Sequence, residues 1–108
     1  MSKYRNKKVQ WNDNTYDSKK EARRHAELLL LQRAGQITNL ETQVKFELLP
    51  SQRIDGKVVE RPVAYVADFK YLENGKVVVE DVKGMKTKDY IIKRKLMLYI
   101  HHIQIKEV

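Results

Sequence analysis

Asp68, Asp81 and Lys83 are the residues whose types and spacing could do chemistry together. A turn links them. Asn74 and Gly75 form the residue pair best suited to a two-residue type I′ hairpin turn, where both central positions need a positive φ. With those two as the loop, Glu73 faces Lys76, Phe69 faces Glu80, and Asp68 faces Asp81. Directly opposed residues share a face, with Cβ atoms roughly 4.5–5.5 Å apart. Two carboxylates so placed repel each other, and a divalent cation removes the objection. Hard oxygen ligands at this spacing suit Mg²⁺, with Mn²⁺ as a substitute. Such ions keep several waters and leave room for a phosphate oxygen and a nucleophile. Lys83 projects from the same face as Asp81. There it can orient or deprotonate an attacking water and offset charge on a phosphate. The Val82 carbonyl between them offers a further metal ligand.

A plainer reading competes with this one. Acids and lysines on strands commonly face solvent, and an Asp-x-Lys triplet arises readily by chance in a chain that is 33% charged. Three features weigh against chance: the cross-strand partner Asp68, the valines Val66 and Val79 expected on the same face, and Gly84 immediately after Lys83. A longer turn would shift the register and separate the two acids. Glu80 is expected on the opposite face, unless a bulge reverses it.

The elements that must position these residues read as follows. Ser18 with Glu21 has capping-box spacing, and Ala22, Ala26, Leu29 and Leu30 give an apolar helical stripe. Gly35 sits where a left-handed cap is expected, so a helix spans about residues 18–34. Val44, Phe46 and Leu48 alternate with polar residues in a strand ending at Pro50. Residues 51–61 are a polar loop or a short hairpin excursion turning at Asp55 and Gly56. Residues 62–71 and 77–83 are strands on either side of the Asn74 turn. Thr87 caps a second helix ending near residue 99 or 100, and Ile103, Ile105 and Val108 mark a last strand. The order is helix, three strands, helix, strand. The class is α+β, and the last strand can return parallel to its neighbour. Ahead of this domain (residues 16–108), residues 1–15 are a basic arm with a short hairpin around Asn12, Asp13 and Asn14.

Length allows one domain of 108 residues. Without cysteine there is no disulfide framework and no thiolate zinc site. The N-terminus lacks the pattern of a signal peptide, and the longest apolar run is too short to span a bilayer. A soluble, cytoplasmic protein without a membrane partner is expected. The net charge of +8 favours polyanions. Lys3, Arg5, Lys7 and Lys8 form an acid-free arm. Lys86, Lys88, Lys93, Arg94 and Lys95 gather around the second helix, as DNA contacts or as a solvated face. His25, His101 and His102 lack metal-ligand spacing and read as core or surface residues. Trp11 and the tyrosines are core candidates before they are base-stacking ones.

Asp68, followed by Asp81, Val82 and Lys83, resembles the signature of the PD-(D/E)XK nuclease superfamily, although Ala67 stands where a proline is usual. More narrowly, three further stretches resemble a phage-encoded family of small proteins in that superfamily, related to Holliday junction resolvases. With the run from Ala67 to Phe69, these are the runs from Tyr16 to Ala22, from Leu40 to Gln43 and from Glu80 to Gly84. The resemblance implies a restriction-endonuclease-like αβββαβ core and Mg²⁺-dependent phosphodiester hydrolysis on DNA, with branched recombination intermediates as a substrate class. It implies a metal held by Asp68, Asp81 and the Val82 carbonyl, with Glu21 joining the acidic cluster. Glu21 is equally explained as a capping-box glutamate. Gln43 would touch DNA or substrate water, or is an ordinary strand amide. A homodimer cutting two strands is expected from size and analogy. The rival expectations are a non-catalytic nucleic-acid-binding module and a subunit active only with a recombination partner.

Overall fold

The computed structural model describes residues 9–11, 14–16, 18–83 and 85–108. The basic arm at Lys3, Arg5, Lys7 and Lys8, the turn residues Asn12 and Asp13, and Gly84 lie outside the described residues, as does the side chain of Trp11. Strands β1 (Val9–Trp11) and β2 (Asn14–Tyr16) pair antiparallel. This hairpin straddles the expected boundary between arm and domain.

Helix α1 (Lys19–Arg33) starts where a side-chain acceptor is available: Glu21 donates its N–H to Ser18 Oγ at 3.1 Å. It stops at Ala34, and Gly35 follows with φ +78°. Strand β3 (Thr38–Leu49) begins six residues before Val44, where alternation first becomes visible in the sequence. Its first half hides the pattern because Asn39 and Gln43 both have positive φ. Strands β4 (Gln52–Ile54) and β5 (Lys57–Glu60) form a ribbon through Asp55 and Gly56, so the hairpin excursion is the correct alternative. Every residue of both strands is exposed.

Strands β6 (Val63–Glu73) and β7 (Lys76–Asp81) pair in the expected register, from Glu73 with Lys76 to Phe69 with Glu80. Asn74 and Gly75 adopt φ +52° and +76°, as the turn requires. Helix α2 (Lys88–His101) is capped by Thr87, whose Oγ1 accepts the Tyr90 N–H at 3.1 Å. Strand β8 (Lys106–Glu107) returns parallel to β7. The four-stranded sheet has the order β3-β6-β7-β8, and the whole is α+β: a mixed sheet flanked by two helices, compatible with an αβββαβ core. No helix among the described residues is long and apolar enough to cross a membrane.

Each helix covers its own apolar cluster. Leu28, Ile37, Phe69 and Tyr71 pack with α1, while Leu48, Tyr65, Ala67, Val79, Tyr90, Met97 and Ile105 pack with α2. Burying a side chain such as Leu28 or Met97 contributes about 1.5–3 kcal/mol. On β6, residues 65, 67, 69 and 71 would share one face of a regular strand, yet the first two lie under α2 and the last two under α1. Strand β3 breaks in the same way, with Leu40 beside the α1 cluster and Phe46 and Leu48 in or beside the α2 cluster. Both strands therefore change face at one level. Thr42 pairs with Phe69 and Val44 with Ala67, which places that level at Gln43 and Asp68. The break corrects one expectation: Val66 is 48% exposed and does not join Val79, which is fully buried under α2.

Candidate active site

Strand β7 keeps strict alternation, and this sorts its acids. Val78, Glu80 and Val82 turn to the α1 side; Val79, Asp81 and Lys83 turn to the α2 side. Glu80 lies on the face opposite Asp81, as expected, and is fully buried. Arg24 grips it with Nε and Nη2, both at 2.7 Å, and Tyr71 donates its hydroxyl to the same carboxylate. Burial alone would raise the Glu80 pKa, but the bonds from Arg24 and Tyr71 outweigh it and hold the carboxyl below its usual value. Glu80 is a structural anchor between β7 and α1.

Asp81 lies under the opposite helix. Tyr65 donates its hydroxyl to Asp81 Oδ2, and Lys83 Nζ stands 3.2 Å from the same oxygen. The Lys83 ammonium also lies 4.3 Å from the centre of the Tyr90 ring, a cation–π distance. Three elements therefore fix the Asp81–Lys83 pair: β7 ends on Asp81, two residues before Lys83 and short of the expected strand end, β6 supplies Tyr65, and the first turn of α2 supplies Tyr90. Sequence reasoning missed both tyrosines, and nothing in residue type or spacing points to Tyr65. Tyr90 had one available signal, its place three residues after the capping Thr87 and close behind Lys83.

Asp68 sits at the level where β6 changes face. The β6–β7 ladder stops at Phe69 and Glu80. In place of the next backbone pair, Val82 donates its N–H to Asp68 Oδ2 at 2.9 Å. Beyond that point β7 turns to β8, with Val108 N–H on the Asp81 carbonyl and Lys83 N–H on the Val108 carbonyl. The Asp68 carboxyl is pushed up to about 8. Burial contributes most, followed by the adjacent Asp81 carboxylate as a hydrogen-bond partner. The Val82 N–H opposes the shift, and the negative charges of Asp81 and Glu21 add to it.

The Glu21 carboxylate reaches across from α1, where it accepts the Gln43 amide at 3.3 Å. The same Gln43 Nε2 lies 3.5 Å from Asp68 Oδ1. Glu21 thus supplies its backbone N–H to the Ser18 cap and its side chain to the acidic group, so the two readings of this residue coexist. Gln43 does not start β3; it lies inside the strand with φ +52°. A left-handed conformation disfavours an L residue by roughly 1–2 kcal/mol, and such strain gathers at functional sites. Asp68, Asp81, Lys83, Glu21 and Gln43 are brought together at the end of the sheet, between the first turns of both helices.

The cations of α2 are not brought to this point as a group. Lys86 Nζ and Arg94 Nη1 each bond Glu107 at 3.1 Å, and Tyr90 donates its hydroxyl to Glu107 at 2.6 Å. The Tyr90 bond above all, opposed by burial and aided by Lys86 and Arg94, pulls the Glu107 carboxyl down to about 2. Lys88 and Lys95 are exposed and Lys93 is half-buried. His25 is a core residue stacked at 5.5 Å on Phe69, and burial lowers its pKa. Among the described residues, no three acidic or histidine side chains converge into a complete cation cage. The donor set still suits Mg²⁺, which takes one or two carboxylates and keeps water elsewhere. Burial first, and then the neighbouring Asp81 and Glu21, disfavour the ionised form of the Asp68 carboxyl here.

No curated protein and no solved structure matches the chain. A family model matches it from end to end, and over residues 1–108 the chain belongs to the family described as protein of unknown function, DUF1064.

Proposed function

We propose that the chain is a metal-dependent DNA endonuclease of the PD-(D/E)XK type. The observation that carries this reading is the meeting of Asp68 and Asp81 at the point where the β6–β7 ladder opens, with Lys83 Nζ 3.2 Å from Asp81. Asp68 and Asp81 are the residues that would hold Mg²⁺ or Mn²⁺, with the Val82 carbonyl and Glu21 as further oxygen donors. When bound, such a cation would withdraw charge from a phosphate oxygen and make water a better nucleophile at neutral pH.

The remaining work belongs to the chain's own groups. Lys83, steadied by the Tyr90 ring, presents a fixed positive charge to a phosphate that gains negative charge during attack. Tyr65 holds one Asp81 oxygen and leaves the other for the cation. Gln43 bridges Glu21 and Asp68, so these two carboxyl groups keep a fixed spacing. Resemblance to small resolvases supports a branched DNA substrate, and one centre per chain supports a homodimer for cutting two strands.

A second reading has an observation of its own. Asp81 Oδ2 is already taken by Tyr65 and Lys83, and no complete cage is formed among the described residues, as in a binding module that keeps a nuclease scaffold. Incubating the purified protein with linear, flapped and four-way DNA, with Mg²⁺, Mn²⁺ or chelator, separates the two. The nuclease reading expects cleavage of at least one substrate that chelator abolishes. DNA binding without cleavage under any cation supports the binding module. Cleavage only after a recombination protein is added would identify a partner-dependent subunit.

A further inference from the structure

The cations that the sequence singles out on α2 are partly neutralised, since Lys86 and Arg94 share Glu107. Another pair is not. Lys20 and Arg23 on α1 are exposed, and neither forms an ion pair with a described residue. Their neighbour Arg24 is fully engaged, with Nε and Nη2 on Glu80 and Nη1 on Glu27 at 3.3 Å.

Lys20, Arg23, Arg24 and Glu27 form one wall of a cleft of about 280 Å³, and Val82 and Val108 form the other. Three cationic side chains face one acidic side chain there, Glu27, and Arg24 already holds it. The apolar wall suits the carbon face of a sugar, and the basic wall suits a phosphate. The volume is slightly below the roughly 300–1,000 Å³ of small-molecule sites, and is closer to one sugar-phosphate unit than to a cofactor. The cleft begins beside the acidic centre. Val82 lies between Asp81 and Lys83 and donates its N–H to Asp68, and Lys20 immediately precedes Glu21.

We propose that Lys20 and Arg23 bind a DNA backbone phosphate neighbouring the scissile one, in the cleft between α1 and the β7–β8 end of the sheet. This rests on the nuclease reading and adds the grip that reading lacks. Asp81 and Lys83 face α2, so a strand crossing the centre leaves it on the α1 side, where these two exposed cations stand.

The test uses the full chain with Lys20→Ala and Arg23→Ala combined. Both side chains are exposed and alanine favours helix, so the fold is retained; an unchanged melting curve checks this. DNA affinity is read by fluorescence anisotropy in chelator across a salt series. The control is Lys57→Ala with Lys76→Ala, two exposed cations outside the cleft. The α1 double variant should bind roughly tenfold more weakly, and its log–log salt slope should fall by about 1–2, the signature of one or two lost phosphate contacts. The control should keep the wild-type slope. A Lys20→Arg, Arg23→Lys exchange should restore most of the affinity. Wild-type affinity and slope in the α1 double variant, or an equal loss in the control, would overturn the proposal while leaving the nuclease reading intact. A wild-type protein that neither binds nor cuts DNA would overturn both.

Discussion

Asp68 bears the main electrostatic conflict of the centre, with a carboxyl raised to about 8 against an ordinary value near 3.9. The sign of the consequence follows from proton uptake. Between those two pH values the folded chain holds a proton that the unfolded chain has released, so stability falls as pH rises through this window. In chelator, Asp68→Asn should therefore melt higher than wild type at pH 8–9 and close to it below pH 4, while losing cleavage. The difference should amount to several degrees, since about 1 kcal/mol moves the midpoint by roughly 4–8 °C in a domain of this size. A lower melting point for Asp68→Asn at pH 8–9 would show that its carboxylate is stabilising. Lys83 gives a second test. Tyr90→Phe keeps the ring beneath the ammonium and should retain most cleavage. Tyr90→Leu should lower kcat by about 2- to 30-fold, the range of a cation–π contact of roughly 0.5–2 kcal/mol. Equal kcat for the two variants would remove the ring from the account. At this scale Asp68, Asp81 and Lys83 were legible because turn chemistry and strand period are local. Tyr65 and Tyr90 were not, because they reach the acid and the lysine from another strand and from a helix. The positive φ of Gln43 leaves no trace in residue type.

Secondary-structure elements make the centre rigid through the Arg24–Glu80 pair, which ties α1 to the middle of the sheet one helical turn after Glu21. Glu80 is fully buried, so removing its partner leaves an uncompensated charge in the interior. Arg24→Ala should destabilise the fold by about 3–5 kcal/mol, read as a shift of the urea midpoint without a change of slope. A loss below about 1 kcal/mol would mean that Tyr71 and Lys106, whose Nζ lies 3.9 Å from Glu80 Oε2, satisfy Glu80 unaided. The order of elements was readable from hydrophobic period, and both helix starts from Ser18 and Thr87. The shared change of face in β3 and β6 was not, since two-residue alternation presumes an unbroken strand. That break is what carries Tyr65 and Ala67 under α2, with the Tyr65 hydroxyl on Asp81, while Phe69 and Tyr71 pack under α1.

The whole molecule presents a +8 chain whose sheet end lies between the first turns of two helices. Lys20 and Arg23 stand on one side of that end, on α1, and Lys88 opens α2 on the other. The β4–β5 ribbon stands apart from both apolar clusters, exposed along its length. Its polar sequence with a central Asp-Gly pair allowed a loop as readily as two strands, because no buried face imposes a pattern on it. Charge and fold together leave one decisive comparison, made on whichever DNA structure the wild-type protein cuts. Single-turnover cleavage at saturating Mg²⁺ should fall at least about 1,000-fold in Asp81→Asn, with circular dichroism and melting curve retained. Cleavage by Asp81→Asn within a few-fold of wild type would contradict the assignment of this centre.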